Sequence, residues 1–158
     1  MIYMGSNELI IAKFKTCMMK KFEMTDLGLL HYFLGFEVKQ DFDGIFISQR
    51  KYAMDLLKKF NMLRCKVKAT PMNVNEKLSQ DDNTEFVNAT YFRSLVGGLN
   101  YLCHTRLDIA FSVRVVSRFM HTLSKLCLGV TKRILRYIVG TAELKIWYSK
   151  VSNFKLIG

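Results

Sequence analysis

The chain has 158 residues, enough for one ordinary domain, and half of them are apolar, so it can bury a substantial core. Twenty-four Lys and Arg residues against thirteen Asp and Glu residues give a formal net charge of +11. A charge of this size points to nucleic acid as a partner and, far behind it, to an anionic membrane surface. A chain whose balancing acidic half is missing would show the same excess, and the two explanations are compatible.

Membrane insertion, secretion and zinc binding have no support in the sequence. The longest apolar runs fall far short of the roughly 20 residues that a membrane span needs, and residues 1–6 contain no basic start or cleavage signal. The four cysteines are far apart, and the three histidines do not complete a zinc site. We therefore predict no metal site, no membrane partner and a non-secreted, intracellular protein. Its reduced thiols are Cys17, Cys65, Cys103 and Cys127.

The first predicted elements are a helix and a β-hairpin. Residues 6–24 form an amphipathic helix that Ser6 can cap, with an apolar stripe at Ile10, Phe14, Met18 and Phe22. Residues 31–40 then alternate with a period of two, residues 41–44 have turn chemistry, and residues 45–48 supply the return strand. Gly35, inside the first strand, predicts a bulge or a close approach of the backbone to another group.

A second helix is predicted over residues 49–62, followed by a polar loop over residues 64–88. The apolar face of this helix consists of Tyr52, Ala53, Leu56, Leu57 and Phe60. The loop contains Asp81 and Asp82, the one double aspartate of the chain. A polymerase carboxylate pair needs a tight hairpin between hydrophobic strands, whereas these two residues lie among polar neighbours. We therefore predict no catalytic role for them.

Three more helices are predicted over residues 89–104, 105–120 and 124–139, before a β-like segment at residues 144–148. The first has an apolar face of Leu95, Val96, Leu99 and Leu102.

Local signals refine these three helices. Gly97 and Gly98 are costly inside a helix, so we expect them to permit close packing of the backbone. Thr105 and Asp108 have the spacing of a capping box at the start of the next helix. Gly140 is placed to stop the last one.

The charge between residues 106 and 136 is almost entirely positive. This stretch has a single acid, Asp108, and seven basic residues: Arg106, Arg114, Arg118, Lys125, Lys132, Arg133 and Arg136. Arg114 lies one helical turn before Arg118, and Lys132 one turn before Arg136, so each pair can present two cations to successive phosphates. A solvated helix face is the plainer alternative. The missing acids favour phosphate contact, which positions nucleic acid without reading its sequence.

No catalytic constellation accompanies this charge. The sequence has no nucleophile with a base, no glycine-rich phosphate loop and no carboxylate pair in a credible hairpin. The residues by themselves predict a basic α+β module that binds nucleic acid, and they do not indicate its purpose.

Four blocks follow the pattern of one known family, in its order and over nearly the whole chain. Residues 22–38 match F-x-M-x-D-L-G-x-x-x-Y-F-L-G-x-x-V, and residues 44–52 match G-x-x-x-S-Q-x-K-Y. Residues 91–102 resemble Y-R-S-x-V-G-x-L-x-Y-L, and residues 132–141 resemble K-R-x-L-R-Y-x-x-G-T. The chain therefore resembles the reverse transcriptase of copia-type LTR retrotransposon Pol polyproteins.

The resemblance implies a partial right-hand polymerase. Residues 1–49 would be the C-terminal remnant of the palm, residues 50–142 a helical thumb and connection, and residues 143–158 the lead-in to a ribonuclease H domain. A primer-grip-like hairpin would present Phe33, Leu34, Gly35 and Phe36 to the nucleic acid. The basic helices would hold the template–primer duplex through Arg106, Arg114, Arg118, Lys132, Arg133 and Arg136.

The resemblance also sets expectations for chemistry and partners. In the family, a Tyr-x-Asp-Asp motif and a further carboxylate hold two magnesium ions, and that motif directly precedes the segment resembling residues 2–7. We therefore expect this RNA-directed DNA polymerase fragment to lack the catalytic aspartates, to use no cofactor of its own and to be inactive. It would bind an RNA/DNA template–primer duplex, and a complete polyprotein would add integrase and ribonuclease H. A domesticated, non-catalytic nucleic-acid-binding protein is the alternative, and a translated pseudogene without function is a third hypothesis.

Overall fold

A computed structural model describes residues 1–5, 7–73, 78, 88–120 and 124–150. The chain divides into two compact units, residues 1–30 and residues 31–158. Across the described residues it is a mixed structure of five α-helices and one four-stranded antiparallel sheet.

The first unit contains helix α1 (Glu8–Lys21), which is shorter at both ends than predicted. The helix is capped by Asn7, whose side chain accepts hydrogen bonds from the amides of Leu9 and Ile10 at 2.9 and 3.3 Å. The predicted cap, Ser6, lies outside the described residues. No residue of α1 is fully buried, but Phe14 of the apolar stripe packs against Tyr3, with ring centroids 5.4 Å apart, and Met18 is half-buried.

The second unit contains the sheet, with strands β1 (Tyr32–Phe33), β2 (Phe36–Asp41), β3 (Gly44–Ser48) and β4 (Ile146–Ser149) in that spatial order. The hairpin of β2 and β3 confirms the prediction for residues 36–48. Strand β4 pairs with β3, so the end of the described chain returns to its first third.

Of the two alternatives predicted at Gly35, the bulge is wrong, because the predicted first strand is two strands. The close approach is confirmed, since a Cβ at Gly35 would lie 3.4 Å from the Tyr101 ring. Leu34 and Gly35 have φ of 46° and 80° and form the two-residue turn of a second hairpin, in which Phe33 faces Phe36. Turns with positive φ at both central residues match the twist of paired strands, and glycine adopts this conformation without a Cβ clash.

Four helices form the core of the second unit: α2 (Arg50–Lys59), α3 (Ala89–Leu102), α4 (Leu107–Ser117) and α5 (Lys125–Thr141). The predicted apolar faces of α2 and α3 are confirmed, since Leu56, Leu57, Leu95 and Leu99 are at most 5% exposed. Gly98 brings the backbone of α3 against the side chain of Leu56, whereas nothing lies within 4 Å of a Cβ at Gly97. The close-packing prediction therefore holds for one glycine of the pair.

Two helix-end predictions are wrong. Helix α4 starts without a side-chain cap, because the Thr105 hydroxyl instead donates to Oε1 of Gln49 at 2.8 Å. Gly140 does not stop α5; it lies within the helix, where a Cβ would clash with Val67. The sequence predicts local roles for Thr105 and Gly140 at helix ends. In the structure they contact distant residues instead, Gln49 and Val67 respectively.

Candidate nucleic-acid interface

A basic groove runs along one flank of α5, between this helix and the segment that follows α2. Its volume is about 640 Å³. The residues that line it are Met62, Cys65, Lys66, Lys68, Asn73, Leu126, Gly129, Val130, Lys132, Arg133 and Arg136. The groove therefore combines five cationic side chains with a floor that includes apolar residues.

Hydrogen bonds from α5 hold the opposite wall of the groove in place. Arg133 donates to the Thr70 hydroxyl at 2.9 Å and to the Thr70 carbonyl at 3.3 Å. Arg136 donates from Nε to the carbonyl of Lys66 at 2.6 Å, and its own carbonyl accepts from the amide of Lys68 at 3.3 Å. Because Lys66 and Lys68 are held through their backbones, their ammonium groups are not used in this attachment.

The electrostatics of the groove are one-sided. Among the described residues, its lining contains no Asp or Glu, and none of the ion pairs found there involves one of its five cations. Positive charges that line the same groove repel one another, and an anion bound between them relieves that repulsion. Phosphate groups spaced along a nucleic-acid backbone provide this kind of anion.

Three of the residues predicted from sequence meet in this groove, namely Lys132, Arg133 and Arg136. Arg114 and Arg118 are exposed on and just after α4, but they are not part of its lining. Sequence reasoning missed Lys66 and Lys68. The sequence contains a signal for them, since residues 64–68 carry three basic residues and no acid.

Arg106 is the predicted phosphate ligand that the structure places inside the protein. It is 2% exposed and forms two hydrogen bonds with the Asp108 carboxylate, at 2.9 and 2.8 Å. It also donates to the carbonyl and the hydroxyl of Thr141 at the end of α5. These contacts engage all three guanidinium nitrogens, so Arg106 is not available to a phosphate group.

The same contacts set the ionisation of Asp108. Burial by itself raises the pKa of this carboxyl, but the hydrogen bonds and charge of Arg106 outweigh burial and leave the pKa below its ordinary value. Asp108 is therefore ionised at neutral pH and neutralises a buried guanidinium that joins the start of α4 to the end of α5.

The four predicted hairpin residues lie away from the lining of the groove. Phe33 and Leu34 are 45% and 68% exposed at the β1–β2 turn. Phe36 packs against Tyr101 and His104 of the α3 end, with ring centroids 5.9 and 6.3 Å apart. The hairpin thus exposes the Phe33 and Leu34 side chains, while Phe36 packs against the end of α3.

Neither a metal centre nor a membrane span is found where the structure is described. Within those residues, no three His, Cys, Asp or Glu side chains come together in a way that could hold a metal ion. Asp81 and Asp82 lie outside the described residues. None of the described helices is long and apolar enough to cross a membrane.

Comparison with known proteins identifies the class. Residues 1–74 match the family described as Reverse transcriptase (RNA-dependent DNA polymerase). The chain is 41% identical, over 87% of its length, to the retrovirus-related Pol polyprotein from transposon RE1 of Arabidopsis thaliana, of which it covers 9%. It is 35% identical over 89% of its length to the Pol polyprotein from transposon TNT 1-94 of Nicotiana tabacum, of which it covers 11%. No solved structure matches the chain.

A smaller relative has a similar level of identity. An uncharacterized mitochondrial protein of Arabidopsis thaliana is 39% identical over 85% of the chain, which covers 56% of that protein. The chain therefore spans about a tenth of the length of the Pol polyproteins and about half of this protein. These matches confirm the family resemblance. Residues 1–74 are thus similar to the reverse transcriptase family, and most of the chain is similar to a segment of copia-type transposon Pol polyproteins.

Proposed function

We propose that this chain holds the backbone of an RNA/DNA template–primer duplex in the basic groove beside α5. The observation that carries the proposal is the groove itself, in which five cations converge and the described lining residues include no carboxylate. The relationship to a reverse transcriptase supports nucleic acid as the anion.

Binding in the groove would depend on phosphates rather than on bases. The cations that line it are lysines and arginines, which form charge-assisted hydrogen bonds with phosphate oxygens. Arg133 and Arg136 also hold the wall, so they shape the groove as well as charge it. Lys66, Lys68 and Lys132 supply further charge, and none of them forms an ion pair within the described residues. Such contacts fix the position of a duplex and carry no sequence information.

The chemistry of polymerisation would be supplied by other residues. The family resemblance implies a pair of magnesium ions, but the described residues bring together no carboxylate set that fits them. We therefore assign this chain duplex binding without nucleotide transfer, and we derive no catalytic step. In a complete Pol polyprotein, the polymerase carboxylates, integrase and ribonuclease H would act on the nucleic acid that this segment helps to hold.

The test is the salt dependence of binding to an RNA/DNA duplex, followed by fluorescence anisotropy of a labelled strand. Each phosphate contact contributes a slope of about −0.9 in log affinity against log salt. The triple variant K66A/K68A/K132A keeps every backbone bond of the groove wall, and we expect its slope to be shallower by roughly 2 to 3.

The matched control is K13A/K20A/K21A, which removes the same charge from exposed positions of α1. Its slope should stay close to that of the unaltered chain. Equal flattening in both variants would mean that overall charge, and not the groove, holds the duplex. An unchanged slope in K66A/K68A/K132A would overturn the proposal outright.

A further inference from the structure

One face of the sheet carries a row of residues that the duplex proposal does not use. In the antiparallel register, Lys39 of β2 lies opposite Phe46 of β3, and Phe46 lies opposite Trp147 of β4. Residues directly opposite in antiparallel strands project from the same face of a sheet. The three side chains therefore form a continuous row of a cation and two aromatic rings.

The two rings of this row are in contact and partly exposed. The ring centroids of Phe46 and Trp147 are 4.1 Å apart, and the rings are inclined by 37°. The benzene ring of the indole lies against Gly44, where a Cβ would come within 2.7 Å of it. Trp147 contacts Phe46 and the Gly44 backbone but is still 40% exposed, so its ring is held in place and remains accessible to a ligand.

Lysines accompany the aromatic rings. The ammonium group of Lys145 lies 4.2 Å from the centroid of Phe46. At the neighbouring β2–β3 turn, Phe42 is 84% exposed, and the ammonium group of Lys150 lies 5.4 Å from its ring. Aromatic surface and positive charge therefore alternate across this end of the sheet.

The carboxylates nearby already have partners within the protein. Glu37 accepts hydrogen bonds from the Ser48 hydroxyl at 2.9 Å and from the Lys51 amide at 3.0 Å. Glu143 pairs with Arg50 at 2.5 Å. Arg50 offsets the charge of Glu143, and Glu37 is held by two neutral donors. No ion pair within the described residues involves Lys39 or Lys145, so both ammonium groups are available to an approaching anion.

We propose that this face, named here the aromatic platform (Lys39, Phe46, Lys145 and Trp147), binds single-stranded nucleic acid by base stacking. An unpaired base would stack on the outer face of the indole, and the two lysines would contact the flanking phosphates. Stacking on aromatic rings needs a free base face, which a duplex does not offer, and it tolerates any base. The platform thus differs in ligand from the groove, because no aromatic side chain is found among the described residues that line the groove.

Trp147 is the only tryptophan of the chain, so its fluorescence reports directly on this site. We expect a short oligothymidylate to quench the fluorescence in a saturable way. An oligomer of the same charge made of abasic sugar-phosphate units should bind at least fivefold more weakly and quench little, because it has no ring to stack. Equal quenching by the two oligomers, or quenching by neither, would overturn the proposal.

Variants separate the platform from the groove. We expect K39A/K145A and W147L to weaken the binding of the labelled oligothymidylate about tenfold, with W147F retaining part of the affinity because it keeps an aromatic face. The charge-matched control K20A/K21A should bind like the unaltered chain. If W147L unfolds, K39A/K145A and W147F still decide the matter, since unchanged affinity in both would exclude the platform.

The groove variant K66A/K68A/K132A distinguishes failure of this proposal from failure of the duplex proposal. We expect it to weaken duplex binding while leaving the oligothymidylate quench of Trp147 unchanged. Loss of the quench in this variant would place the single strand in the groove and would overturn the platform. A platform that binds a protein partner instead would show no quench with either oligomer.

Discussion

The hydroxyl group of Tyr101, near the end of α3, donates a hydrogen bond to the backbone carbonyl of Leu34, 67 residues earlier in the chain. The Tyr101 ring also packs against Phe36 and Tyr52, with ring centroids 5.9 and 4.9 Å away. One side chain therefore ties the tip of the β1–β2 hairpin to the helical core.

Removing the Tyr101 hydroxyl should loosen this attachment. We expect Tyr101→Phe to lower the free energy of unfolding by about 1 kcal/mol, because the Leu34 carbonyl loses its partner while the ring contacts remain. Urea denaturation measures the change. Tyr91→Phe is the control, since Tyr91 packs its ring on Phe60 and its hydroxyl has no partner among the described residues. Equal losses in the two variants would contradict a specific role for Tyr101.

The adjacent glycines of α3 should respond in opposite directions to alanine. Gly97→Ala meets open space, so the higher helix propensity of alanine should stabilise the protein by about 0.5 to 1 kcal/mol. Gly98→Ala forces the buried Leu56 side chain to move, and overpacking costs about 1 to 3 kcal/mol. Thermal unfolding should therefore rank Gly97→Ala above the unaltered chain and Gly98→Ala below it. The reverse order would contradict the close contact with Leu56.

The Arg106–Asp108 pair should make stability depend on pH in the acid range. Because the pKa of Asp108 is lowered in the folded chain, its contribution is present above the unfolded value of about 3.9 and is lost as pH falls through the lowered pKa. Asp108→Asn should cost about 2 kcal/mol near neutral pH and progressively less below about pH 4. Urea titrations of both proteins across this range measure the difference.

A control for this pH dependence is Asp43→Asn, at the exposed β2–β3 turn. The stability of this variant should follow that of the unaltered chain at every pH. A constant difference between Asp108→Asn and the unaltered chain down to strongly acid pH would show that ionisation of Asp108 does not contribute.

Arg114 and Arg118 test whether the nucleic-acid contact extends beyond the groove. Both are exposed, so R114A/R118A should leave the fold intact and flatten the salt slope of duplex binding by roughly 1 to 2. Anisotropy titrations at several salt concentrations measure the slope. A slope equal to that of the unaltered chain would restrict the interface to the groove.

Primer extension tests the assignment of binding without catalysis. We expect the purified chain to add no nucleotides to a primed RNA template in the presence of magnesium. The same reaction with D81A/D82A should be indistinguishable from it. Extension that disappears in this variant would identify Asp81 and Asp82 as catalytic, whereas extension that persists would place the active site elsewhere.

The sequence by itself determined the secondary structure of those helices and strands whose apolar residues recur at a regular spacing. The apolar faces of α2 and α3 were predicted from their spacing, and Leu57 and Leu99 are indeed buried. The hairpin of β2 and β3 followed from alternation and from turn residues. These patterns can be read locally because a helix or strand must place its apolar residues on one side in order to bury them. The family was also evident from sequence, since its motifs are contiguous strings.

Only the tertiary structure decided which partner each polar or small residue has. Arg106 looked like a phosphate ligand, yet it pairs with Asp108 and caps the end of α5. Gly140 looked like a helix stop, yet it makes room for Val67. The pairing of β4 with β3 brings Trp147 onto Phe46, about a hundred residues apart in the chain. A single charged residue or glycine does not belong to a repeating pattern in the sequence. Its role therefore depends on which distant segment of the chain packs against it.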